Sequence, residues 1–217
     1  MPASPLQLAI VGLGNVGTGV AKILIEHPKR ILQRAGRPIE ICRAVVRDLN
    51  KPRDIGLPAG VLTNDIESVI RDPNIQVAVE LMGGIHPARE VMLRLLEAGK
   101  DVVTANKALL CEHGDEIFEC ARKHGRTVCF EAAVAGGIPI IAAVGQSMAA
   151  NQVIGIQAIL NGTTNYILSE MLLRGQSYAE ALQQAQDLGY AEADPTLDVN
   201  GTDAGQKLGI SRSWRLA

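Results

Sequence analysis

Aromatic residues are scarce: two Phe, three Tyr and a single Trp in 217 residues. A core of stacked rings is therefore excluded, and the abundance of Ala, Val, Ile, Leu and Gly suits close-packed aliphatic layers of helix on sheet. An excess of one charge is missing too. With a formal net charge of -2 and 20% charged residues, the chain has no basic footprint for nucleic acid or an anionic membrane surface, which leaves a small molecule as the expected partner. The opening "MPASPLQLAIVGLGNVG" lacks a basic n-region, and glycines break its apolar run, so neither a signal peptide nor a membrane span is expected. Cys42, Cys111, Cys120 and Cys129 form no CxxC pair and have no His at zinc-ligand spacing. A structural metal is not expected on that basis, whereas buried, reduced thiols in a cytoplasmic protein are.

What is present is an alternation of short apolar runs with helical patterns. Strands are expected at Leu6–Val11, Ile39–Val46, Val77–Leu81, Val102–Thr104 and Thr127–Ala132. Helices are expected between them at Val16–Glu26, Ile66–Arg71, Pro87–Ala98 and Cys111–His124. Such alternation implies right-handed crossovers, hence an α/β fold: a Rossmann-type, doubly wound parallel sheet with its ligand crevice beyond the carboxyl ends of the strands. Near Gly136 the style changes to the glycine-rich, apolar "AGGIPIIAAVG". A strand-like Val153–Leu160 follows, then helical patterns at Tyr166–Arg174 and Tyr178–Leu188, an acidic loop, and a helix starting near Thr202. Residues 1–135 are expected to form the dinucleotide-binding domain, and 136–217 an incomplete α+β substrate domain.

"VGLGNVG" places Gly12, Gly14 and Gly17 at GxGxxG spacing between the first strand and the first helix. The first glycine allows the tight turn, the second lets backbone approach a pyrophosphate, and the third lets helix pack on strand. Asn15 and Val16 bring the first amides and the positive end of the helix dipole. The second strand ends at Arg47, where an NAD site usually carries an acid for the ribose 2′-hydroxyl. Arg47, helped by Lys51, suits a 2′-phosphate and hence NADP, while Asp48 would serve NAD if the register shifted by one. Two later strand ends fall on the same side: "ELMGG", with Gly83 and Gly84, and "TANKALL", with Thr104, Asn106 and Lys107.

"GYAEADPTLDVNGTDAGQK" sets Glu192, Asp194, Asp198 and Asp203 ahead of Lys207. Asp203 and Lys207 stand at i and i+4, a spacing that by itself describes a surface ion pair worth about 0.3–0.5 kcal/mol.

At "TANKALL", "FEAAVAGGIPII", "LNGTTNYIL" and the acidic loop, the sequence resembles homoserine dehydrogenase, from Leu6 to about Leu208. That family interconverts aspartate 4-semialdehyde and homoserine with NAD(P)H, on the route to threonine, isoleucine and methionine. The resemblance implies that Gly12, Gly14 and Gly17 hold the nucleotide and that Thr104 and Lys107 lie beside the nicotinamide and the reacting carbon. Gly162 and Thr163 would form the turn near substrate, and Tyr190, Glu192, Asp198, Asp203 and Lys207 the substrate and proton-transfer positions. It further implies a sodium ion on backbone carbonyls of Glu131, Val134, Gly136 and Ile138, and a family homodimer whose elements are missing here.

Homoserine carries an ammonium, a carboxylate and a hydroxyl. Glu192 is expected to take the ammonium, and Asp198 to organise the loop or hold water. A lysine of ordinary pKa, about 10.4, serves as a base only where burial or nearby cations lower it to roughly 7–8. Lys107 would be such a cation and Asp203 would oppose it. Lys207 is expected to move the proton and Lys107 to position the reacting oxygen, with the roles exchangeable. Gly162 stands where acylating dehydrogenases with a similar turn carry a nucleophilic cysteine, which disfavours an acyl-enzyme. After Lys207 the chain reads "LGISRSWRLA", where Ser211, Arg212, Ser213 and Arg215 interrupt an apolar helical stripe. That ending suggests a truncated product, and the alternative function is a non-catalytic, NADP-binding remnant.

Overall fold

The computed structural model describes residues 4–212; Ser213, the lone Trp214 and Arg215, which bear on the reading of the ending, lie outside them. Among the described residues, six strands form one parallel sheet in the order β3-β2-β1-β4-β5-β6. They are β1 (Leu6–Val11), β2 (Ile39–Val45), β3 (Leu62–Thr63), β4 (Val77–Glu80), β5 (Asp101–Thr104) and β6 (Val128–Cys129). The order reverses between β1 and β4, which opens the expected crevice at their carboxyl ends. Their end loops meet there, with the Leu81 amide bonded to the Val11 carbonyl at 2.8 Å.

The helices on the sheet include α1 (Asn15–Glu26), α2 (Pro28–Ala35), α3 (Glu67–Ile70), α4 (Ala88–Glu97) and α5 (Lys107–His124). α4 shows why its sequence is helical. Ala88, Val91, Met92, Leu95 and Leu96 fall at i, i+3, i+4, i+7 and i+8, and all five are buried, as an amphipathic helix facing a core requires. Asn106 caps α5 by accepting from the Leu109 amide at 3.2 Å, and Gly125, at φ 62°, ends it in the left-handed conformation. Buried aliphatic clusters cover both faces of the sheet: one holds Ile75, Met92, Leu95, Leu96 and Ile117, the other Leu8, Ile10, Ala44 and Val79.

Beyond the sheet come a 3-10 turn at Glu131–Ala133, α6 (Ile140–Ala142), a wide helical turn at Ala143–Ser147, α7 (Gly162–Arg174), α8 (Tyr178–Asp187), α9 (Thr196–Val199) and α10 (Thr202–Arg212). α7 and α8 pack on each other through Ile167, Ala181, Ala185 and Ala191. α10 returns to the sheet domain and packs on α5. Its Ile210 is fully buried in the larger aliphatic cluster, and Gly209 leaves no side chain where a Cβ would stand 3.4 Å from Cys111 Sγ.

Three expectations are corrected. Residues 152–160 form no strand, and Ile154 and Ile159 are 96% and 75% exposed. An extended run becomes a strand only beside a backbone that exchanges hydrogen bonds with it, and none among the described residues does. The strand expected at Thr127–Ala132 shrinks to Val128–Cys129, because the chain turns into the 3-10 turn at Glu131. The thiols are free, as read, yet Cys111 and Cys129 are exposed rather than buried, and Cys42 and Cys120 are half-buried; Cys129 lies on the edge strand β6, where no further strand covers it. α2, though strongly amphipathic, and the four-residue α9 have no counterpart among the expected elements. No helix among the described residues is long and apolar enough to cross a membrane.

Candidate active site

The glycine loop follows β1. A Cβ on Gly12, at φ 105°, would stand 2.6 Å from the Leu81 carbonyl oxygen, and one on Gly17 would stand 2.0 Å from the carbonyl oxygen of Gly12. Both positions are glycine because the protein's own backbone fills the space. Gly14 differs: nothing lies within 4 Å of its Cβ position. It caps α1 without any side-chain hydrogen bond, and no acid sits in the first turn. The amides of Asn15, Val16 and Gly17 therefore stand at an open helix N-terminus, the arrangement that receives a pyrophosphate.

After β2 the chain passes Arg47, which is exposed. The Asp48 carboxylate accepts from the Asn50 amide at 2.8 Å, and the Arg53 guanidinium donates to the carbonyls of Asp48 and Lys51. Asp48 is thus tied into its own loop, leaving Arg47 and Lys51 to face solvent beside the nucleotide crevice.

The acidic loop sorts into distinct tasks. Asp194 accepts from the amide and hydroxyl of Thr196, at 3.1 and 2.5 Å, in the turn that leads into α9; the Thr196 hydroxyl holds its carboxyl below the usual range. Asp198 holds the start of α7 by accepting from the Asn161 side-chain amide at 2.7 Å and lying 3.2 Å from the Thr163 hydroxyl. Asp203, 5% exposed, accepts from Lys107 on one oxygen and from Lys207 (2.6 Å) and Asn161 (2.9 Å) on the other. Glu192 is exposed, and its carboxylate has no hydrogen-bond partner among the described residues.

These groups line a cleft of about 600 Å³ that also takes in Gly162, Thr163 and Tyr190. Tyr190 is 58% exposed, and its ring leans on Tyr166 at 5.0 Å. A second cavity of about 330 Å³ lies between Gly83, Asn106 and the segment Ala132–Gly136, and shares Lys107 and Lys207 with the first. The two lysines form the wall between the cavities. Thr104 does not reach that wall: it is buried, its hydroxyl committed to Glu80 at 2.7 Å and to the Asn106 amide at 3.0 Å.

Known proteins match nearly the whole chain. The model of the homoserine dehydrogenase NAD binding domain matches residues 12–131, and the homoserine dehydrogenase model matches residues 139–215. The chain belongs to the homoserine dehydrogenase family. It is 48% identical to homoserine dehydrogenase of Synechocystis over 96% of its length, and 49% identical to that of Pseudomonas aeruginosa over the same share. A crystal structure of a homoserine dehydrogenase from Thiobacillus denitrificans superposes with a TM-score of 0.88 at 46% identity, covering 97% of this chain. In each case the chain spans 48% of the relative's length.

Within this chain the electrostatic centre is Asp203. Burial alone would raise its pKa, but hydrogen bonds from Lys107, Lys207 and Asn161 outweigh burial and bring it down to about 2. Asp203 and Lys207 are therefore not the exposed i,i+4 pair that spacing alone describes. Lys207 also donates to the Leu160 carbonyl at 2.8 Å, so its ammonium is anchored from two directions. Asn161 is the residue that sequence reasoning missed. Its oxygen caps α7, accepting from the Thr164 amide at 2.7 Å, while its nitrogen joins Asp198 to Asp203. The available signal was an Asn directly before a Gly-Thr-Thr helix start, an N-cap pattern. Among the described residues no three His, Cys, Asp or Glu side chains gather to hold a metal.

Proposed function

We propose that the chain interconverts L-homoserine and L-aspartate 4-semialdehyde with a nicotinamide dinucleotide, within the biosynthesis of threonine, methionine and isoleucine, in the cytoplasm. One observation carries the reading: two lysines from distant parts of the chain, Lys107 and Lys207, meet on one buried carboxylate at the wall between a substrate-sized cleft and a cavity next to the Gly83 loop.

Gly12, Gly14, Asn15, Val16 and Gly17 would hold the dinucleotide, with Gly83 and Lys107 flanking the nicotinamide end and Thr104, buried with its hydroxyl committed, supporting that end without touching it. When bound, the nicotinamide accepts or gives the hydride. The remaining work belongs to the chain. Glu192, the carboxylate without an internal partner, binds the substrate ammonium, and Tyr190, Asp198, Gly162 and Thr163 shape the cleft around it. Lys207, once its ammonium has given a proton to solvent, takes the hydroxyl proton in oxidation and returns it in reduction, while Lys107 positions the reacting oxygen. Asp203 holds both lysines at one point. Arg47, with Lys51, selects NADP by pairing with the 2′-phosphate, since Asp48 is occupied by Asn50.

A sodium ion would sit on the carbonyls of Glu131, Val134, Gly136 and Ile138. The segment bends sharply through Ala135 and Gly136, both at φ 58°, and the Glu131 carboxylate is committed to the amides of Ile141 and Ala142 at 2.9 Å. Only main-chain oxygen is left to serve there. Among the described residues no cysteine lines the cleft, and Gly162 faces open space, so the turn offers no nucleophile for an acyl-enzyme.

The test is homoserine-dependent reduction of NADP by the purified chain, followed by nicotinamide absorbance. Turnover above blank supports the reading. The second reading, a chain that binds NADP without turnover, draws on residues 152–160, which lead unpaired into the Leu160 carbonyl that anchors Lys207. NADPH binding with no homoserine-dependent turnover would select it.

A further inference from the structure

Glu80, at the end of β4, is 0% exposed. Among the described residues it pairs with no cation, and none of the steps above uses it. A carboxylate in that position is costly unless its oxygens are satisfied. Its partners are the Met82 amide, donating to one oxygen at 2.8 Å, and the Thr104 hydroxyl, donating to the other at 2.7 Å. Thr104 in turn accepts from the Asn106 amide at 3.0 Å. Asn106 donates its side-chain amide to the Gly84 carbonyl at 2.7 Å and caps α5, whose first residue is Lys107.

The proton inventory of this series has one solution. The Met82 and Asn106 amides are donors only. The single proton of Thr104 must therefore go to Glu80, and Glu80 must accept at both oxygens. A glutamine would break the series in either orientation. Its NH₂ would face the Met82 amide, donor against donor, or it would face Thr104 and leave the hydroxyl proton without an acceptor.

We propose that Glu80 is a positioning residue for the reaction. Through Thr104 and Asn106 it fixes two neighbouring segments that contribute to the lining of the 330 Å³ cavity, the Gly83–Gly84 loop and the helix start that aims Lys107 at Asp203. This inference rests on the functional reading above and adds a residue that touches neither substrate nor cofactor. It predicts an effect on Lys107 that a merely structural residue would not produce.

The experiment uses the full chain with Glu80→Gln, Thr104→Val and the double variant, each checked for folding by circular dichroism. Acetic anhydride labelling of Lys107, relative to exposed Lys51, is read by peptide mass spectrometry alongside homoserine-dependent NADP reduction. Labelling of Lys107 should rise several-fold in both single variants, because the lysine is no longer held on Asp203. kcat should fall roughly 10–100-fold, the scale of a misplaced catalytic group, with a smaller change in KM for homoserine. The double variant should be no worse than the more impaired single one, since both break the same series. Unchanged Lys107 labelling in folded Glu80→Gln, or a kcat loss that only follows the folded fraction, would overturn the proposal. If the wild-type chain oxidises no homoserine, the functional reading fails, and the labelling ratio still decides whether Glu80 positions Lys107.

Discussion

The sheet domain and the part after Gly136 hold together by different means. The first buries large aliphatic clusters on both faces of a six-stranded sheet. Among the described residues the second has one small cluster, Ile167, Ala181, Ala185 and Ala191, and attaches through Ile140 and Ile141, which pack on the larger core, and through α10, where Ile210 enters that core and Asp203 binds Lys107. The difference is instructive: the sheet part is held by its own core, whereas the lysine pair on Asp203 exists only where the two parts meet.

Breaking the junction should produce the largest effect. Lys207→Ala is expected to lower turnover by roughly 10²–10⁴-fold, the usual worth of a positioned proton carrier, while NADPH binding in the sheet domain stays near wild type. Steady-state kinetics paired with NADPH fluorescence titration would separate the two. Next comes Ile210→Ala, which should destabilise the docking of α10 by about 2–5 kcal/mol. Differential hydrogen exchange should show α10 opening while β1 and β4 remain protected; equal loss of protection in both would mean that the parts unfold as one.

Much of the sheet domain was legible from periodicity. α4 and β1 announce themselves through buried residues at helical and strand spacing, and the three glycines mark the turn between β1 and α1. The reason is physical, because each such element meets its partners within a few tens of residues. The second part was less legible. Val153–Leu160 has strand composition, yet strand formation depends on a neighbouring backbone that local sequence does not specify. The Lys107–Asp203 contact, 96 residues apart, left no local trace either; only the family resemblance placed both residues at one site. Asn161 was passed over because a capping residue is common, and its second role depends on two carboxylates 37 and 42 residues away.

An intermediate effect tests the junction through pH. Asp203 has its pKa lowered from 3.8 to about 2 in the folded chain. A lowered carboxylate pKa stabilises the fold above the unfolded value and loses that contribution as pH falls through the folded one. The junction should therefore weaken between pH 4 and pH 2, by about 2 kcal/mol in total. Thermal melts across that range should show a shallower slope for Asp203→Asn than for wild type; equal slopes would mean that Asp203 is not the coupled group.

The glycine loop offers a contrast inside the sheet domain itself. Gly17→Ala should lower the melting temperature, since its Cβ would meet the Gly12 carbonyl oxygen 2.0 Å away. Gly14→Ala should leave the melting temperature nearly unchanged and weaken NADPH binding instead. The smallest effect is expected at Arg47→Ala: NADPH affinity falls, with NADH affinity little altered. Titrations with both nucleotides would show it, and a wild-type preference for NADH would contradict the assignment of Arg47.

Proton transfer by Lys207, held on Asp203 beside Lys107, decides the proposed function. Its most direct test is the pH profile of homoserine-dependent NADP reduction for wild type and Lys207→Ala, at saturating nucleotide and with NADPH binding verified. A large loss of kcat with an altered pH profile is expected for Lys207→Ala. Near-normal turnover with an unchanged profile would contradict it.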